Sequence, residues 1–338
     1  MSAPALLESL LAGRELGWQE AQNLMHGMMS GEAEDAWIAG ILVALRAKGV
    51  TGGELAAFAD VMRDHAMSLS STHPTLIDTC GTGGGRSTFN LSTGAAIVAA
   101  AAGAKVAKHG NRAVTSLCGS ADVLEALGVV LVADPERLQH LLDSVGIVFL
   151  FAPHHHPAMR HVSAARKALG VRTVFNQLGP LANPAGAKRQ LIGVYDDALL
   201  LPMAEALSKL GCERGLVVRG EDGMDEISPC APTRFVEVAG DSIRAGRFEP
   251  GDFGLTPVAE SALAAGSDAS ENARILRQAL EDARSPQAQA LIPNAAAALY
   301  LAEIAADLRT GARLAHQAIE SGSAARKLSD LIEVTQAL

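Results

Sequence analysis

A cluster of glycines between a short apolar strand and an alanine-rich helix is the feature of this sequence that most restricts its fold. The strand is predicted at residues 76–78, the glycine cluster spans 81–85, and the helix begins near Ser92. Without Cβ atoms, consecutive backbone N–H groups can converge on an anion, and a helix N-terminus adds unpaired donors. The segment therefore predicts an α/β unit with a phosphate-binding loop. A flexible turn with ordinary capping is the alternative.

Neither of the two common nucleotide-binding motifs describes this loop. No Gly-Lys-Ser/Thr follows, as a Walker loop requires, and Arg86 stands where the dinucleotide motif G-x-G-x-x-G needs its third glycine. The side chains of Thr88, Asn90, Ser92 and Thr93 add hydrogen-bonding groups beside the glycines. The sequence thus predicts phosphate binding by a different kind of loop.

Strand and helix patterns alternate through the middle of the chain. Strands are predicted at 105–108, 147–151, 191–194 and 216–218, and helices at 120–127, 135–144 and 157–169. Residues 3–68 have helical patterns only, and three helices are expected beyond residue 270, where they would cover the sheet. The alternation predicts an α/β fold with a mainly parallel central sheet, and the helical segment from 157 is expected to rejoin the N-terminal helices.

Composition and charge exclude several classes of protein. The chain has 338 residues, 49% of them hydrophobic, and a net charge of -9, so we expect a large core and no nucleic-acid partner, which Lys and Arg would have to bind. No basic region precedes an apolar stretch near the N-terminus, and the run 94–106 is shorter than the roughly 20 residues that span a bilayer. We therefore expect a cytoplasmic protein with no membrane partner. The four cysteines lack paired spacing, which favours reduced packing residues over disulfides or a zinc site.

A second polar loop follows the next predicted strand. Because both loops leave parallel strands at their carboxyl ends, they should face one crevice. The loop consists of Lys108, His109, Gly110, Asn111, Arg112, Ala113, Val114, Thr115 and Ser116. Two cations and two directional hydrogen-bonding groups suit an anionic ligand, although a solvated charged loop is the alternative. Ser116 and Ser120 fit a phosphate contact and a helix N-cap equally well.

Two adjacent carboxylates, Asp225 and Glu226, follow the strand predicted at 216–218. Beside a polyanion, each would be repelled by about 4 kcal/mol per unit charge at ~4 Å. A cation between them would reverse the sign, and Mg²⁺ is commonly shared by one or two carboxylates and substrate phosphates. The pair predicts a magnesium site, with a solvated turn as the alternative.

Several ordered motifs resemble anthranilate phosphoribosyltransferase of tryptophan biosynthesis, and the resemblance covers nearly the whole chain. The matching segments are 81–84, 90–93, 108–112, 119–122, 151–153, 156–159, 173–184 and 225–226. The resemblance implies a magnesium-dependent pentosyltransferase that transfers the phosphoribosyl group of phosphoribosyl pyrophosphate (PRPP) to anthranilate and releases pyrophosphate. It also implies a helical domain at 1–70, completed by a helical excursion near 157–185, an α/β domain at 71–338, and a homodimer formed through the helical domains.

The resemblance also implies roles for individual residues. Ser92 and Glu226 would hold one Mg²⁺, and Asp225 with Glu226 a second. The anthranilate contacts would be Gly81, His109, Asn111 and Arg166, where a guanidinium can bind the carboxylate through two parallel hydrogen bonds. The PRPP contacts would be Gly81, Gly84, Thr88, Asn90, Leu91, Ser92, Thr93, Lys108, His109, Gly110, Asn111, Arg112, Ala113, Val114, Thr115, Ser116 and Ser120.

The glycine loop departs from the family pattern. The family usually has Gly-Thr-Gly-Gly-Asp-Gly before Thr-Phe-Asn, whereas this chain continues from Gly84 with Gly85 and Arg86, one residue shorter and without the aspartate. Either Arg86 contacts pyrophosphate or it faces solvent. We expect retained activity with an altered affinity for PRPP, so that reinserting Asp after Gly84 changes the apparent KM.

Other residues carry weaker indications of chemistry. No covalent nucleophile is indicated, because Cys80, Cys118 and Ser92 lack a visible base, and His109 is either a pocket wall or a proton acceptor. The run 154–156 of three histidines would place its side chains in different directions, which disfavours a metal site. Two other functions are less favoured. Arg166 and the 108–112 loop argue against a pyrimidine nucleoside phosphorylase of the same fold, and the net charge of -9 and the acidic pair argue against a non-catalytic relative that binds nucleic acid.

Overall fold

The N-terminal part of the chain is helical. The computed structural model describes residues 3–113 and 117–338. The first helices are α1 (Ala3–Leu11), α2 (Trp18–Met29), α3 (Asp35–Lys48) and α4 (Gly52–Asp64). A capping box begins α4: Thr51 Oγ1 accepts the N–H of Glu54 at 3.3 Å, and the Glu54 carboxylate accepts the N–H of Thr51 at 2.9 Å. Lys48 Nζ, 2.8 Å away, neutralises this buried carboxylate.

A seven-stranded sheet forms the centre of the remaining chain, in the order β3-β2-β1-β4-β5-β6-β7. The strands are β1 (Ile77–Asp78), β2 (Val106–Gly110), β3 (Ile147–Phe151), β4 (Arg189–Gly193), β5 (Arg214–Gly220), β6 (Thr233–Ala239) and β7 (Ser242–Phe248). The pairs from β3 across to β5 are parallel, whereas β6 and β7 add an antiparallel edge. The predicted α/β class with a mainly parallel sheet is therefore confirmed.

Helices surround the sheet. They are α5 (Leu91–Ala101), α6 (Ser120–Leu127), α7 (Pro135–Ser144), α8 (Ala152–His155), α9 (Arg160–Leu169), α10 (Phe175–Leu178), α11 (Leu200–Lys209), α12 (Ala269–Glu281), α13 (Pro286–Leu301), α14 (Leu308–Glu320) and α15 (Ser323–Ala337), with short 3₁₀ turns between some of them. No helix among the described residues is long and apolar enough to cross a membrane.

Two predictions about these elements were wrong or incomplete. Four helices, not three, follow residue 268, because Gly322 adopts a left-handed φ of 74° and separates α14 from α15 after a short link. The β6–β7 hairpin was missed, although Gly240, with φ 58°, and Asp241 form the two-residue connection that such hairpins favour.

At β4 and β5, the two faces of the sheet belong to two apolar cores. Leu191 of β4 and Leu216 and Val218 of β5 pack with α5 and α12–α15, whereas their alternating neighbours Ile192 and Val217 pack with the helices of the first 64 residues. This alternation follows from the two-residue period of a strand. Val162 of α9 and Phe175 of α10 join the second core, so the chain returns to the N-terminal helices after β3.

The strand order reverses at β1, the third strand across the sheet. From β1, the chain passes to β2 and β3 on one side and then to β4 on the other. In open parallel sheets, the loops at such a reversal leave a crevice at the carboxyl ends of the strands. The fold thereby directs the loops that follow β1, β2, β4 and β5 to a common place.

Candidate active site

A cavity of about 460 Å³ lies at this edge of the sheet. The two polar loops, the acidic turn after β5, and residues of α9 and α10 form its walls. Of the residues predicted to bind ligands, those on the wall are Gly81, Gly84, Thr88, Asn90, Leu91, Ser92, Lys108, His109, Gly110, Asn111, Arg112, Ala113, Ser120, Arg166, Asp225 and Glu226. Thr93 is buried and is not among the wall residues, while Val114, Thr115 and Ser116 lie outside the described residues.

The glycine loop packs directly against the acidic turn. A Cβ atom on Gly85 would lie 2.5 Å from Asp225 Oδ1 and 2.6 Å from the Asp225 nitrogen, and one on Gly193 would lie 1.6 Å from the Asp225 carbonyl oxygen. The N–H of Arg86 donates to the Gly223 carbonyl at 2.9 Å. Glycine is therefore required where the loop meets the turn, and an aspartate at position 85 would collide with Asp225.

The carboxyl groups of Asp225 and Glu226 are partly buried at the cavity wall. Burial and the neighbouring charge of Asp225 raise the pKa of Glu226 to about 8, and burial raises the pKa of Asp225. Glu226 Oε1 accepts the N–H of Ser92 at 3.0 Å, which brings the predicted Ser92 hydroxyl to the same place. Without a cation, the two carboxyl groups do not ionise readily at the same time. With the Ser92 hydroxyl they form a set of oxygen ligands that fits Mg²⁺.

Lys108 contacts the proposed magnesium ligand Ser92. Its side chain is buried, and Nζ donates to the Thr79 carbonyl at 3.0 Å and to Ser92 Oγ at 3.3 Å. The ammonium group also favours the charged form of Glu226. In this structure, Lys108 orients Ser92 and offsets part of the negative charge of the acidic pair.

Arg112 is engaged away from the glycine loop. Its guanidinium pairs with Glu125 and, at 3.3 Å, with Asp122, and lies 5.4 Å from the centre of the Phe151 ring. The Asp122 carboxylate also accepts the N–H of Gly119 at 2.8 Å, so the side chain that caps α6 belongs to Asp122. The N-cap of α6 is Gly119, and the interpretation of Ser120 as an N-cap was therefore wrong.

His109 is a buried, neutral group. Its Nδ1–H donates to the Gly179 carbonyl at 3.0 Å, and its ring centre lies 5.1 Å from that of His156. Burial and then His156 lower the pKa of His109 to about 3, and burial lowers the pKa of His156 to about 4. A group that binds protons so weakly is better suited to be a pocket wall than a general base near neutral pH.

The guanidinium of Arg166 also lies on the cavity wall. It lies 5.3 Å from the centre of the Phe175 ring, and burial lowers the pKa of Arg166. Within the described ranges, no carboxylate pairs with it. A partly desolvated guanidinium on an aromatic ring is prepared to bind an anionic planar group.

The structure also brings in a residue that the sequence did not suggest. Arg172 Nη2 donates to the Gly84 carbonyl at 2.8 Å, and its guanidinium lies 4.2 Å from the centre of the Tyr195 ring. Its own carbonyl accepts a hydrogen bond from Arg46 Nη1 of α3. Arg172 therefore ties the glycine loop to the N-terminal helices, and no local motif marks a contact between residues 88 positions apart.

Two other groups resemble metal ligands at first sight. Asp78, Cys80 and His109 bring ligand atoms within 4.8 Å of one another. However, the two Asp78 oxygens already accept hydrogen bonds from the His109 N–H and from Asn183 Nδ2, and burial raises the pKa of the Cys80 thiol to about 12. The group is better explained as the hydrogen-bonded floor of the cavity.

The three consecutive histidines contact three different partners. His154 lies edge-on to the Phe151 ring, His155 Nδ1–H donates to the Met67 carbonyl at 2.7 Å, and His156 packs near His109. Each of the three rings therefore makes a contact with a different partner.

Comparison with known families gives two matches that together span most of the chain. The helical bundle domain of a glycosyl transferase family matches residues 4–66, and the α/β domain matches residues 73–325. Similar proteins include the anthranilate phosphoribosyltransferase of Desulfatibacillum aliphaticivorans, 48% identical over 98% of each chain. That of Myxococcus xanthus is 48% identical over 98% of this chain and 99% of its own.

Solved structures agree with these matches. The crystal structure of anthranilate phosphoribosyltransferase from Thermus thermophilus has a TM-score of 0.91 and 44% identity, over 99% of this chain and 100% of the other. The Saccharomyces cerevisiae enzyme in complex with PRPP and Mg has a TM-score of 0.90 and 29% identity, over 99% and 98%. The same yeast enzyme in complex with 4-fluoroanthranilate has a TM-score of 0.87 and 28% identity, over 100% and 99%.

Proposed function

The chain belongs to the anthranilate phosphoribosyltransferases of the glycosyl transferase family, and we propose that it uses the cavity described above to transfer the phosphoribosyl group of PRPP to the nitrogen of anthranilate. One observation carries this proposal. A single cavity is lined by an acidic pair, by the glycine loop and by the guanidinium of Arg166, which pairs with no carboxylate among the described residues. A polyphosphate with its metal and an aromatic carboxylate are the two ligands that this combination fits.

On the polyphosphate side, we propose that Ser92 and Glu226 hold one Mg²⁺ and that Asp225 with Glu226 holds a second. The raised pKa of Glu226 supports this, because burial and the charge of Asp225 disfavour ionisation of both groups and nearby cations offset only part of that effect. Bound magnesium would stabilise the charge that builds up on the leaving pyrophosphate. Those PRPP contacts named above that lie on the cavity wall would bind its phosphates and ribose through the two loops.

On the acceptor side, Arg166 binds the anthranilate carboxylate, and Gly81, His109 and Asn111 complete the pocket. Holding the amine in line with the anomeric carbon and the departing pyrophosphate supplies much of the rate, since the reacting atoms no longer need to find one another. His109 stays neutral and acts as a wall. Bonding of the weakly nucleophilic nitrogen lags behind departure of pyrophosphate, so that positive charge develops on the ribose.

We further propose the division into a helical domain at 1–70, completed near 157–185, and an α/β domain at 71–338. Dimerisation through the helical domain is supported by apolar side chains exposed on its helices, Leu11, Trp18 and Val43. Light scattering on the purified protein should give twice the chain mass of 34.9 kDa. A cytoplasmic location stays a prediction from the sequence.

The central experiment follows the loss of anthranilate fluorescence in the presence of PRPP and magnesium. We expect fluorescence to fall with time and pyrophosphate to appear in equal amount, and we expect a chelator to stop both. Folded protein that leaves anthranilate unchanged at saturating PRPP and magnesium would contradict the proposed reaction. Loss that continues after magnesium is chelated would contradict the proposed metal site.

A further inference from the structure

We propose that Arg86 binds the pyrophosphate group of PRPP and that Glu260 holds the Arg86 guanidinium while PRPP is absent. This inference rests on the proposed phosphoribosyl transfer and adds a substrate contact to it. It concerns the shortened part of the glycine loop, where this chain has Gly85 and Arg86.

Arg86 is the only charged residue of the first polar loop. Between Thr79 and Thr93, every other side chain is neutral, and Arg86 itself lies on the cavity wall. Backbone donors and hydroxyl groups can cradle a phosphate, but they do not neutralise it. A guanidinium in this loop therefore supplies a cation that the rest of the loop lacks.

The position of Arg86 is fixed relative to the acidic pair. Its N–H donates to the Gly223 carbonyl at 2.9 Å, and the preceding Gly85 packs so closely on Asp225 that a Cβ atom would not fit. A pyrophosphate bound to magnesium on Asp225 would thus lie beside the residue that precedes Arg86. The long arginine side chain can reach it from there, whereas the 5′-phosphate lies at the far end of the ribose.

The present partner of Arg86 is weakly held. Its Nη1 lies 2.8 Å from Glu260 Oε2, with 34% of the arginine side chain and 62% of the glutamate side chain exposed. Exposed pairs of this kind contribute little to stability, because water solvates both groups well. A pyrophosphate carries more charge than one carboxylate and offers the arginine fork paired oxygens, so it should displace Glu260.

The carboxylate partner is itself positioned next to the loop. Glu260 begins a 3₁₀ turn that ends at Leu263, and the Leu263 carbonyl accepts the N–H of Phe89 at 3.1 Å. Both ends of the segment that carries Arg86 are therefore anchored, one on Gly223 and the other on Leu263. Exchange of partners requires rotation of the side chain only, with the loop backbone unchanged.

The test compares Arg86→Ala with the unchanged enzyme in steady-state kinetics. We expect the KM for PRPP to rise about 10-fold, the loss typical of one charge-assisted contact, while the KM for anthranilate stays unchanged. Inhibition by inorganic pyrophosphate should weaken by the same factor, whereas inhibition by ribose 5-phosphate should not change. An unchanged KM for PRPP, or a loss confined to ribose 5-phosphate, would overturn the proposal.

Two further variants separate substrate binding from loop structure. Glu260→Gln removes the competing partner, so the KM for PRPP should stay the same or fall; a rise as large as that of Arg86→Ala would mean that the pair only holds the loop, and would overturn the proposal. Arg274→Ala, an exposed arginine near Glu271, is the matched control.

Calorimetric titration with pyrophosphate and magnesium, together with the transferase assay, separates failure of the role proposed for Arg86 from failure of the proposed function. Absence of transferase activity in the unchanged enzyme would contradict the proposed function, whereas wild-type pyrophosphate affinity in Arg86→Ala would contradict the role of Arg86 alone.

Discussion

The two sides of the cavity differ in how they handle charge. The anion side, formed by the glycine loop at 81–86 and the acidic turn with Asp225 and Glu226, combines backbone packing with two carboxylates that burial makes difficult to ionise. The acceptor side, formed by His109, Arg166 and Phe175, combines neutral rings with one guanidinium that has no carboxylate partner within the described ranges. The anion side thus has two adjacent carboxylates, whereas the acceptor side has a guanidinium that no carboxylate within the described ranges neutralises. Substitutions on the two sides should therefore change different kinetic constants.

The largest effect is expected for Glu226→Gln on the anion side. Loss of a ligand shared by both proposed magnesium ions should lower kcat/KM for PRPP about 1000-fold, because the metal contributes several kcal/mol to stabilising the leaving group. Glu221→Gln is the control, since this exposed carboxylate lies at the exit of the same strand and pairs with Arg234 and Arg247. Activity of Glu226→Gln close to that of the control would refute the division into two sides, because the acidic pair would then be dispensable.

Arg166→Ala should give the largest effect on the acceptor side. We expect the KM for anthranilate to rise about 100-fold with little change in the KM for PRPP, because a desolvated charge-assisted contact is lost. Lys167→Ala, an exposed cation on the same helix, should behave like the unchanged enzyme. Initial rates with each substrate varied in turn measure both constants. An equal rise in both would show that Arg166 supports the cavity as a whole.

The sequence predicted the elements that depend on local patterns. The helices at 120–127 and 135–144 and the strand at 147–151 have the predicted bounds, because each has a clear apolar period and a clear end signal. The β6–β7 edge was missed because β6 mixes buried with exposed positions and β7 has only exposed and partly exposed ones, a weaker pattern than a buried parallel strand.

The candidate site could be predicted only where it is contiguous in sequence. The glycine loop, the second loop and the acidic pair each stand out as a run of unusual residues at a strand end, and the structure brings them to one cavity. The contact of Arg172 with Gly84, the engagement of Arg112 by Glu125 and the neutrality of His109 depend on long-range packing and burial. No run of residues encodes these features, because they arise only when distant segments pack together.

Arg172 anchors the glycine loop, and its replacement tests whether the acceptor side depends on that anchor. In Arg172→Ala, the Gly84 carbonyl loses its donor and the contact with the Tyr195 ring is lost, whereas the backbone carbonyl that accepts from Arg46 is kept. We expect the KM for PRPP to rise about 10-fold through loss of loop order, with a smaller change in the KM for anthranilate. Arg160→Ala, an exposed arginine at the start of α9, is the control. A change in the KM for anthranilate alone would assign Arg172 to the acceptor side and contradict its proposed role in ordering the glycine loop.

The smallest effect concerns pH, and it should appear in stability but not in anthranilate binding. The pKa of His109 is lowered to about 3 and that of His156 to about 4, chiefly by burial, so neither ring gains a proton between pH 6 and 9. The KM for anthranilate should therefore be flat over that range.

In the unfolded chain, histidines take up protons near pH 6.5, whereas these two remain neutral in the folded chain. The unfolded state then binds more protons, so the free energy of unfolding falls as pH decreases from about 6.5 toward 4. Thermal melts should show this decrease, with a smaller slope in His156→Gln than in the unchanged protein or in His316→Gln, an exposed control on α14. An equal slope in all three proteins would mean that the buried ring accepts a proton readily, and the acceptor side would then be charged at mildly acidic pH.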